Sequence, residues 1–185
     1  MTTRRCCWTS FDTFVRARSA TLARTAYLLT GDRQLAEDLL QDAFTTLADR
    51  WRAVVRRGDP EPYVRRILYT KAVDGWRARK RRPEVLCDGS ESGQLWPELR
   101  SPGDDAETVT RRIVLRDALS RLTPHQRAVL VLRFYEDRTE AEAAMLLGCS
   151  VNTVKSQTRH ALGRLRTLAP ELAETFDRPT PVEAP

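Results

Sequence analysis

Side chains suited to contacting DNA are concentrated in residues 150–166 of this 185-residue chain. Asn and Gln can read adenine edges in the major groove, Arg and Lys can bind guanine or phosphate, and Ser and Thr can bind phosphate oxygens. No acidic residue occurs from Ala143 through Ala169. The alternative is an ordinary helical hairpin with a solvated basic face. The candidate DNA-contacting residues are Ser150, Asn152, Thr153, Lys155, Ser156, Gln157, Arg159, His160 and Arg164.

Capping signals predict where the helices around these residues begin. Thr123 and Gln126 form a capping box with Pro124 at the first helical position, and Thr139 with Glu142 forms a second. We therefore expect one helix to begin at Pro124 and another after Thr139. The first helix should carry the apolar residues Val129, Leu130, Leu132 and Phe134.

The spacing of three small or apolar residues predicts a helix-turn-helix. Ala144 is the small residue where two helices cross, Gly148 ends the first helix, and Val154 inserts the second helix into the core. Ser150 can cap that second helix, which would then enter the major groove.

A second basic cluster lies between residues 63 and 82. It ends in Arg77, Arg79, Lys80, Arg81 and Arg82, with no acidic residue after Asp74. Clustered Arg side chains neutralise phosphates, and aromatic rings beside them can stack on unpaired bases at ~1–3 kcal/mol each. The alternative is that the aromatic residues belong to the core and the Arg run ends a domain. The candidate stacking rings are Tyr63, Tyr69 and Trp76.

One predicted helix, from residue 33 onward, has an acidic face within a strongly positive part of the chain. Asp32 can cap this helix, and its apolar stripe includes Leu35, Leu39 and Leu47. The alternative to a binding face is a solvated helix surface. The polar face consists of Glu37, Asp38, Gln41, Asp42 and Asp49.

Charge is distributed in blocks that indicate two domains and a tether. Residues 8–82 carry a net charge of +7 and residues 109–168 carry +6, whereas residues 83–108 carry −6 and are rich in Pro, Gly and Ser. The tail, residues 169–185, is acidic and Pro-rich, which is typical of disorder. Apolar residues in both basic blocks recur at three- and four-residue spacing, so we predict an all-α fold of two small helical domains joined by a flexible acidic linker.

Several function classes are excluded by what the sequence lacks. The longest apolar runs are five residues, so we expect no membrane span. Four cysteines without paired spacing and two distant histidines argue against a metal site or a disulfide framework, and favour reduced cytosolic thiols. The glycines form no nucleotide-binding loop. We therefore expect no cofactor and no catalytic residues.

Motifs in both blocks resemble those of bacterial sigma factors of the sigma-70 family. Asp38-Leu39-Leu40-Gln41-Asp42-Ala43-Phe44 is similar to the region 2.2 pattern D-L-x-Q-E-x-F, and residues 63–82 resemble regions 2.3 and 2.4. Leu132-Arg133-Phe134-Tyr135-Glu136-Asp137 and Leu147-Gly148-Cys149-Ser150-Val151-Asn152-Thr153-Val154-Lys155-Ser156 resemble region 4. With no region 1.1 or region 3 between them, the chain is similar to the extracytoplasmic-function (ECF) subgroup, and its variation resembles the actinobacterial SigE-like branch.

The resemblance implies a transcription initiation factor of the cytoplasm that binds core RNA polymerase and promoter DNA. Its partners would be the β′ clamp helices, the β flap and an anti-sigma factor. Region 2.2 would dock on the clamp helices, region 2.4 would recognise and help melt the −10 element, and the residues from Ser150 to Arg164 would bind the −35 element. The implied docking residues are Asp38, Leu39, Gln41 and Asp42. The implied −10 residues are Tyr63, Arg66, Thr70, Lys71, Asp74, Arg77, Arg79, Lys80 and Arg81.

This sequence departs from the family pattern at a few DNA-facing positions. Thr70 stands where the family often has Asn, so the family's selection of the flipped −10 base does not carry over. Asn152, Gln157 and His160 replace Gly, Arg and Arg in region 4, which should alter the −35 preference rather than abolish binding. The alternative function is a helix-turn-helix regulator that binds operator DNA without joining the polymerase.

Overall fold

The computed structural model describes residues 10–81 and 106–170, and every regular element in these two ranges is helical. The prediction of an all-α protein is confirmed. Most of the predicted linker and the tail after residue 170 lie outside the described residues. The helices are α1 (Phe11–Thr30), α2 (Arg33–Arg57), α3 (Glu61–Arg81), α4 (Ala106–Ser120), α5 (Pro124–Leu130), a π-helical turn (Val131–Tyr135), α6 (Glu140–Leu147) and α7 (Val151–Leu168).

Helices α1 to α3, called here the N-terminal block, begin and end at local signals. Gly31 has a φ of 75° and donates its backbone N–H to the Tyr27 carbonyl over 2.7 Å, which ends α1. Asp32 accepts the backbone N–H of Leu35 at 2.8 Å and so caps α2, as the sequence predicts. The three helices enclose a core around Phe14, Leu22 and Leu47.

Helices α4 to α7, called here the C-terminal block, also follow the predicted caps. Both capping boxes are present, at Thr123 with Gln126 and at Thr139 with Glu142. Gly148 ends α6 with a φ of 65°, and the next helix begins after Ser150. Helices α6 and α7 therefore form the predicted helix-turn-helix, and the two helices contact each other.

Replacing Thr139 by Ala should lower the free energy of unfolding by about 1 kcal/mol, because the Glu142 backbone N–H loses its cap acceptor. Hydrogen bonds from the backbone N–H and hydroxyl of Thr139 lower the pKa of Glu142 in the folded protein. The stability that ionised Glu142 contributes is present above the pKa that Glu142 has in the unfolded chain, and it is lost as pH falls through the lowered pKa of the folded protein. The difference in unfolding free energy between the wild type and Thr139→Ala should therefore become smaller in acid.

Urea unfolding at neutral and acidic pH measures this difference. Thr45→Ala is the matched control, since Thr45 is exposed in the middle of α2 and caps nothing. Its stability should stay the same or rise slightly through helix propensity. An equal loss in both variants would show that the capping box at Thr139 contributes little.

The helix that begins at Pro124 changes its winding at Val131, which the apolar pattern did not predict. The Glu136 N–H donates to the Val131 carbonyl, five residues back, and the Arg138 N–H donates to the Leu132 carbonyl, six residues back, instead of the four of an α-helix. Leu132 is buried in this wider turn, whereas Phe134 is 48% exposed. Asp137 follows in the left-handed region, with a φ of 50°.

An apolar cluster joins the two blocks. Leu29, Tyr69 and Val73 of the N-terminal block pack with Val129 and Leu132 of the C-terminal block and with their buried neighbours. Helix α3 contacts both α5 and α6. The sequence indicated two basic blocks on a tether, and the structure adds a shared core between them.

Candidate nucleic-acid and partner-binding surfaces

Helix α7 presents a polar and basic face because its buried apolar residues lie on the opposite side. Val154, Ala161 and Leu165 are buried, at successive positions on one face. Every predicted DNA-contacting residue of this segment keeps exposed surface, with Ser156 and Gln157 half-buried on the flanks. Asn152, Thr153, Lys155, Arg159, His160 and Arg164 are exposed.

Some of these residues are held in place by neighbours. The Ser150 hydroxyl accepts the Thr153 backbone N–H at 3.1 Å, so Ser150 acts first as the N-cap of α7. Arg164 donates to the Arg121 carbonyl at 2.9 Å, which ties the last turns of α7 to the end of α4. Lys155 lies 3.5 Å from Glu140 in an exposed pair. Such a pair contributes little to stability, so Lys155 can exchange its carboxylate for a phosphate at small cost.

Helix α3 carries a second set of exposed polar side chains. Arg66, Thr70 and Asp74 follow one another at four-residue spacing and are all exposed. Tyr63 is half-buried against the N-terminal core. Tyr69, by contrast, is fully buried in the cluster between the blocks, so the interpretation of Tyr69 as a stacking ring is wrong for this conformation. The side chains of five other residues predicted to contact DNA lie outside what the structure describes: Trp76, Arg77, Arg79, Lys80 and Arg81.

The acidic face of α2 is open to solvent and borders the polar face of α3. Asp38, Gln41 and Asp42 are exposed, whereas Leu39 is buried in the N-terminal core and can only support the face from below. Lys71 of α3 lies 3.0 Å from the Asp42 carboxylate. The implied docking residues and the implied −10 residues are therefore adjacent.

An ionic cluster at the junction of the blocks was not predicted from the sequence. Arg65 of α3 donates to Glu61 in its own helix, over 2.7 Å, and to Glu136 at the end of the π-helical turn. Burial alone would lower the pKa of Arg65, but the hydrogen bond to Glu61 and the charge of Glu136 outweigh it and raise the pKa. Burial, and then the charge of Glu136, raise the pKa of Tyr69. Arg65 is therefore charged and Tyr69 neutral at physiological pH.

In the described ranges, no group of three His, Cys, Asp or Glu residues could hold a metal ion. No described helix is both long and apolar enough to span a bilayer.

Comparison with known proteins places both blocks in one family. Residues 14–82 match the model of sigma-70 region 2, and residues 112–165 match the model of sigma-70 region 4. The RNA polymerase sigma-E factor of Streptomyces coelicolor is 40% identical over 157 residues, covering 84% of each protein. The ECF RNA polymerase sigma factor SigL of Mycobacterium tuberculosis is 34% identical over 161 residues, covering 85% of this chain and 87% of SigL.

The fold is also found among solved structures. The sigma factor RpoE of Bartonella quintana, crystallised with the anti-sigma factor NepR, superposes with a TM-score of 0.66 and 22% identity over 86% of this chain and 96% of RpoE. A match to sigma regions in both blocks does not support the alternative of a helix-turn-helix regulator that works without the polymerase. The chain belongs to the extracytoplasmic-function group of the sigma-70 family of RNA polymerase sigma factors.

Proposed function

We propose that residues 8–82 and 109–168 act as two DNA-binding units that together place core RNA polymerase on a promoter. The first unit binds the −10 element through α3, and the second binds the −35 element through α7. The face formed by Asp38, Gln41 and Asp42 docks on the β′ clamp helices, and the C-terminal block meets the β flap. The protein supplies no catalytic group of its own and acts in the cytoplasm.

One observation supports this assignment more than any other. Two different binding chemistries are exposed on one chain: an acidic face on α2 and a polar, basic face on α7 whose buried side is fixed by Val154. The acidic face would repel DNA, so it suits a basic protein partner, whereas α7 suits phosphates and base edges. Because the Bartonella RpoE was crystallised with an anti-sigma factor, a protein of that class is a further candidate partner for this chain.

Run-off transcription with core polymerase on a promoter library tests the proposal. We expect transcripts that depend on the protein and start downstream of a shared pair of sequence elements. Binding to DNA fragments without core polymerase, combined with failure to co-elute with it, would instead indicate an operator-binding regulator.

Replacing Gln157 by Ala should change which −35 sequences are bound, because a side chain that reads a base edge contributes about 1–3 kcal/mol of discrimination at one position. Selection of binding sites from a randomised −35 element, followed by sequencing, measures the change. Thr167→Ala is the control, since Thr167 is exposed in the last turn of α7, beyond the candidate residues. A uniform loss of affinity across all sequences would assign Gln157 to phosphate binding.

A further inference from the structure

The first turn of α7 exposes an apolar side chain among polar ones. Val151 is the first residue of α7 and is 38% exposed, whereas Val154 and Leu165 of the same helix are buried. The remaining large apolar residues of α7 are half-buried against the core of the C-terminal block. Packing within the protein therefore accounts for the other large apolar residues of this helix but not for Val151.

The hydroxyl groups of the first turn are engaged in the helix cap. The Ser150 hydroxyl accepts the Thr153 backbone N–H at 3.1 Å, and it lies 2.9 Å from the Thr153 hydroxyl. A base contact by either hydroxyl would compete with the cap, which stabilises the start of α7. Val151 and Asn152 take no part in the cap, so they can contact DNA without disturbing it.

The surroundings of Val151 suit DNA better than an apolar protein surface. Val151, Lys155 and Arg159 follow one another at four-residue spacing, so they lie along one side of α7, and all three are exposed. Burying two cations against an apolar protein surface would be unfavourable, because they would lose their water without gaining a partner. Phosphates beside a groove would instead pair with both cations while Val151 meets the bases.

The position of Val151 in the helix-turn-helix also favours a base contact. The first residues of the second helix of this motif contact base edges in the major groove. Hydrogen-bonding groups occupy most of those edges, and thymine alone adds a methyl group, at C5. A contact with that methyl group is the specific base contact that a purely apolar side chain can make.

We propose that Val151 contacts the C5-methyl group of a thymine in the −35 element and thereby selects thymine at that position. The inference rests on the proposed binding of the −35 element by α7. It assigns to one residue a preference that hydrogen bonds do not supply. Burial of one methyl group favours thymine over the same base without it by about fourfold in affinity.

Replacement of thymine by deoxyuridine tests this contact, because deoxyuridine forms the same base pair and lacks only the methyl group. The −35 sequence is first selected from a randomised element by the full-length protein with core polymerase. Each thymine of that sequence, on either strand, is then replaced in turn, and fluorescence anisotropy competition gives the affinity. We expect one position at which deoxyuridine weakens binding by about fourfold.

The variant Val151→Ala tests whether this side chain contacts the methyl group. Ala removes the two methyl groups of Val and favours the helix, so α7 should stay folded. At the sensitive position, we expect this variant to bind thymine and deoxyuridine equally. Val151→Ile, which keeps a branched apolar side chain, should retain the preference for thymine. The matched control is Met145→Ala, because Met145 is 69% exposed on the neighbouring helix α6 and should not affect the preference.

Three results would overturn the thymine contact while leaving the proposed function intact. The first is a selected −35 element in which no thymine loses affinity on replacement. The second is a deoxyuridine effect that persists in Val151→Ala, which would assign the methyl contact to another residue. The third is weaker co-elution of Val151→Ala with core polymerase and an unchanged preference for thymine, which would place Val151 on a protein interface. A selection that yielded no shared −35 sequence would contradict the proposed function, and the thymine contact with it.

Discussion

A chain carrying Asp38→Arg together with Gln41→Ala should fail to co-elute with core RNA polymerase, although it should still fold and bind DNA. Both side chains are exposed on α2, so the substitutions disturb no packing. Truncating one side of an interfacial charge pair costs about 2–5 kcal/mol, and reversing the charge adds repulsion. Since about 1.4 kcal/mol is a tenfold change, we expect core binding to weaken by roughly 100-fold.

The control for this prediction is Asp12→Arg, which reverses an exposed acidic residue on α1 of the same block. It changes the net charge by the same amount as Asp38→Arg, so it separates a specific face from general electrostatic attraction. Analytical gel filtration with core polymerase gives the binding, and thermal unfolding confirms that both variants fold. Co-elution of the double variant at wild-type concentrations would remove the acidic face from the docking surface.

Only those predicted docking residues that are exposed on the surface of α2 are accessible to a partner protein. Leu39 belongs to the motif shared with region 2.2, but it is buried beneath the face. Asp42 is exposed and paired with Lys71, a residue assigned by resemblance to −10 binding. The implied docking residues and the implied −10 residues therefore meet at this ion pair.

Helix boundaries could be predicted from the sequence because the interactions that set them are local. Asp32, Thr139 and Ser150 each accept a backbone N–H three residues later, and Gly148 supplies the left-handed conformation that ends α6. Each of these signals is complete within four residues. The polar face of α7 could be predicted for the same reason, since helical periodicity separates Val154 from the side chains around it.

The interface between the blocks could not be predicted, because it depends on contacts between residues far apart in sequence. Arg65 and Glu136 are 71 positions apart, and Thr25 and Glu136 are 111 positions apart. Glu136 follows the π-helical turn, and the apolar pattern gave no sign of that change in winding. Tyr69 shows the same limit, since periodicity cannot distinguish a ring that stacks on bases from a ring that fills a core.

Replacing Arg127 by Met should produce the largest loss of stability of any substitution considered. Met retains much of the apolar volume of the side chain but removes the donors to the carbonyls of Leu29 and Ser120, whereas the Leu119 carbonyl keeps the backbone N–H of Leu122. Each buried polar group left unsatisfied costs about 1–3 kcal/mol, so we expect the free energy of unfolding to fall by roughly 2–5 kcal/mol. The matched control is Arg121→Met, because Arg121 is exposed and its pair with Asp117 is worth at most about 1 kcal/mol.

Urea unfolding of Arg127→Met, monitored by far-ultraviolet circular dichroism, also shows whether the two blocks unfold together. Two of the three bonds lie within the C-terminal block, and the bond to Leu29 crosses to the N-terminal block. If the blocks are held together in solution, the wild type should unfold in one transition and the variant in two, with the C-terminal block first. A midpoint equal to that of Arg121→Met would mean that the carbonyls of Leu29 and Ser120 bind water instead. Two transitions already present in the wild type would mean that the blocks are independent before any bond is removed.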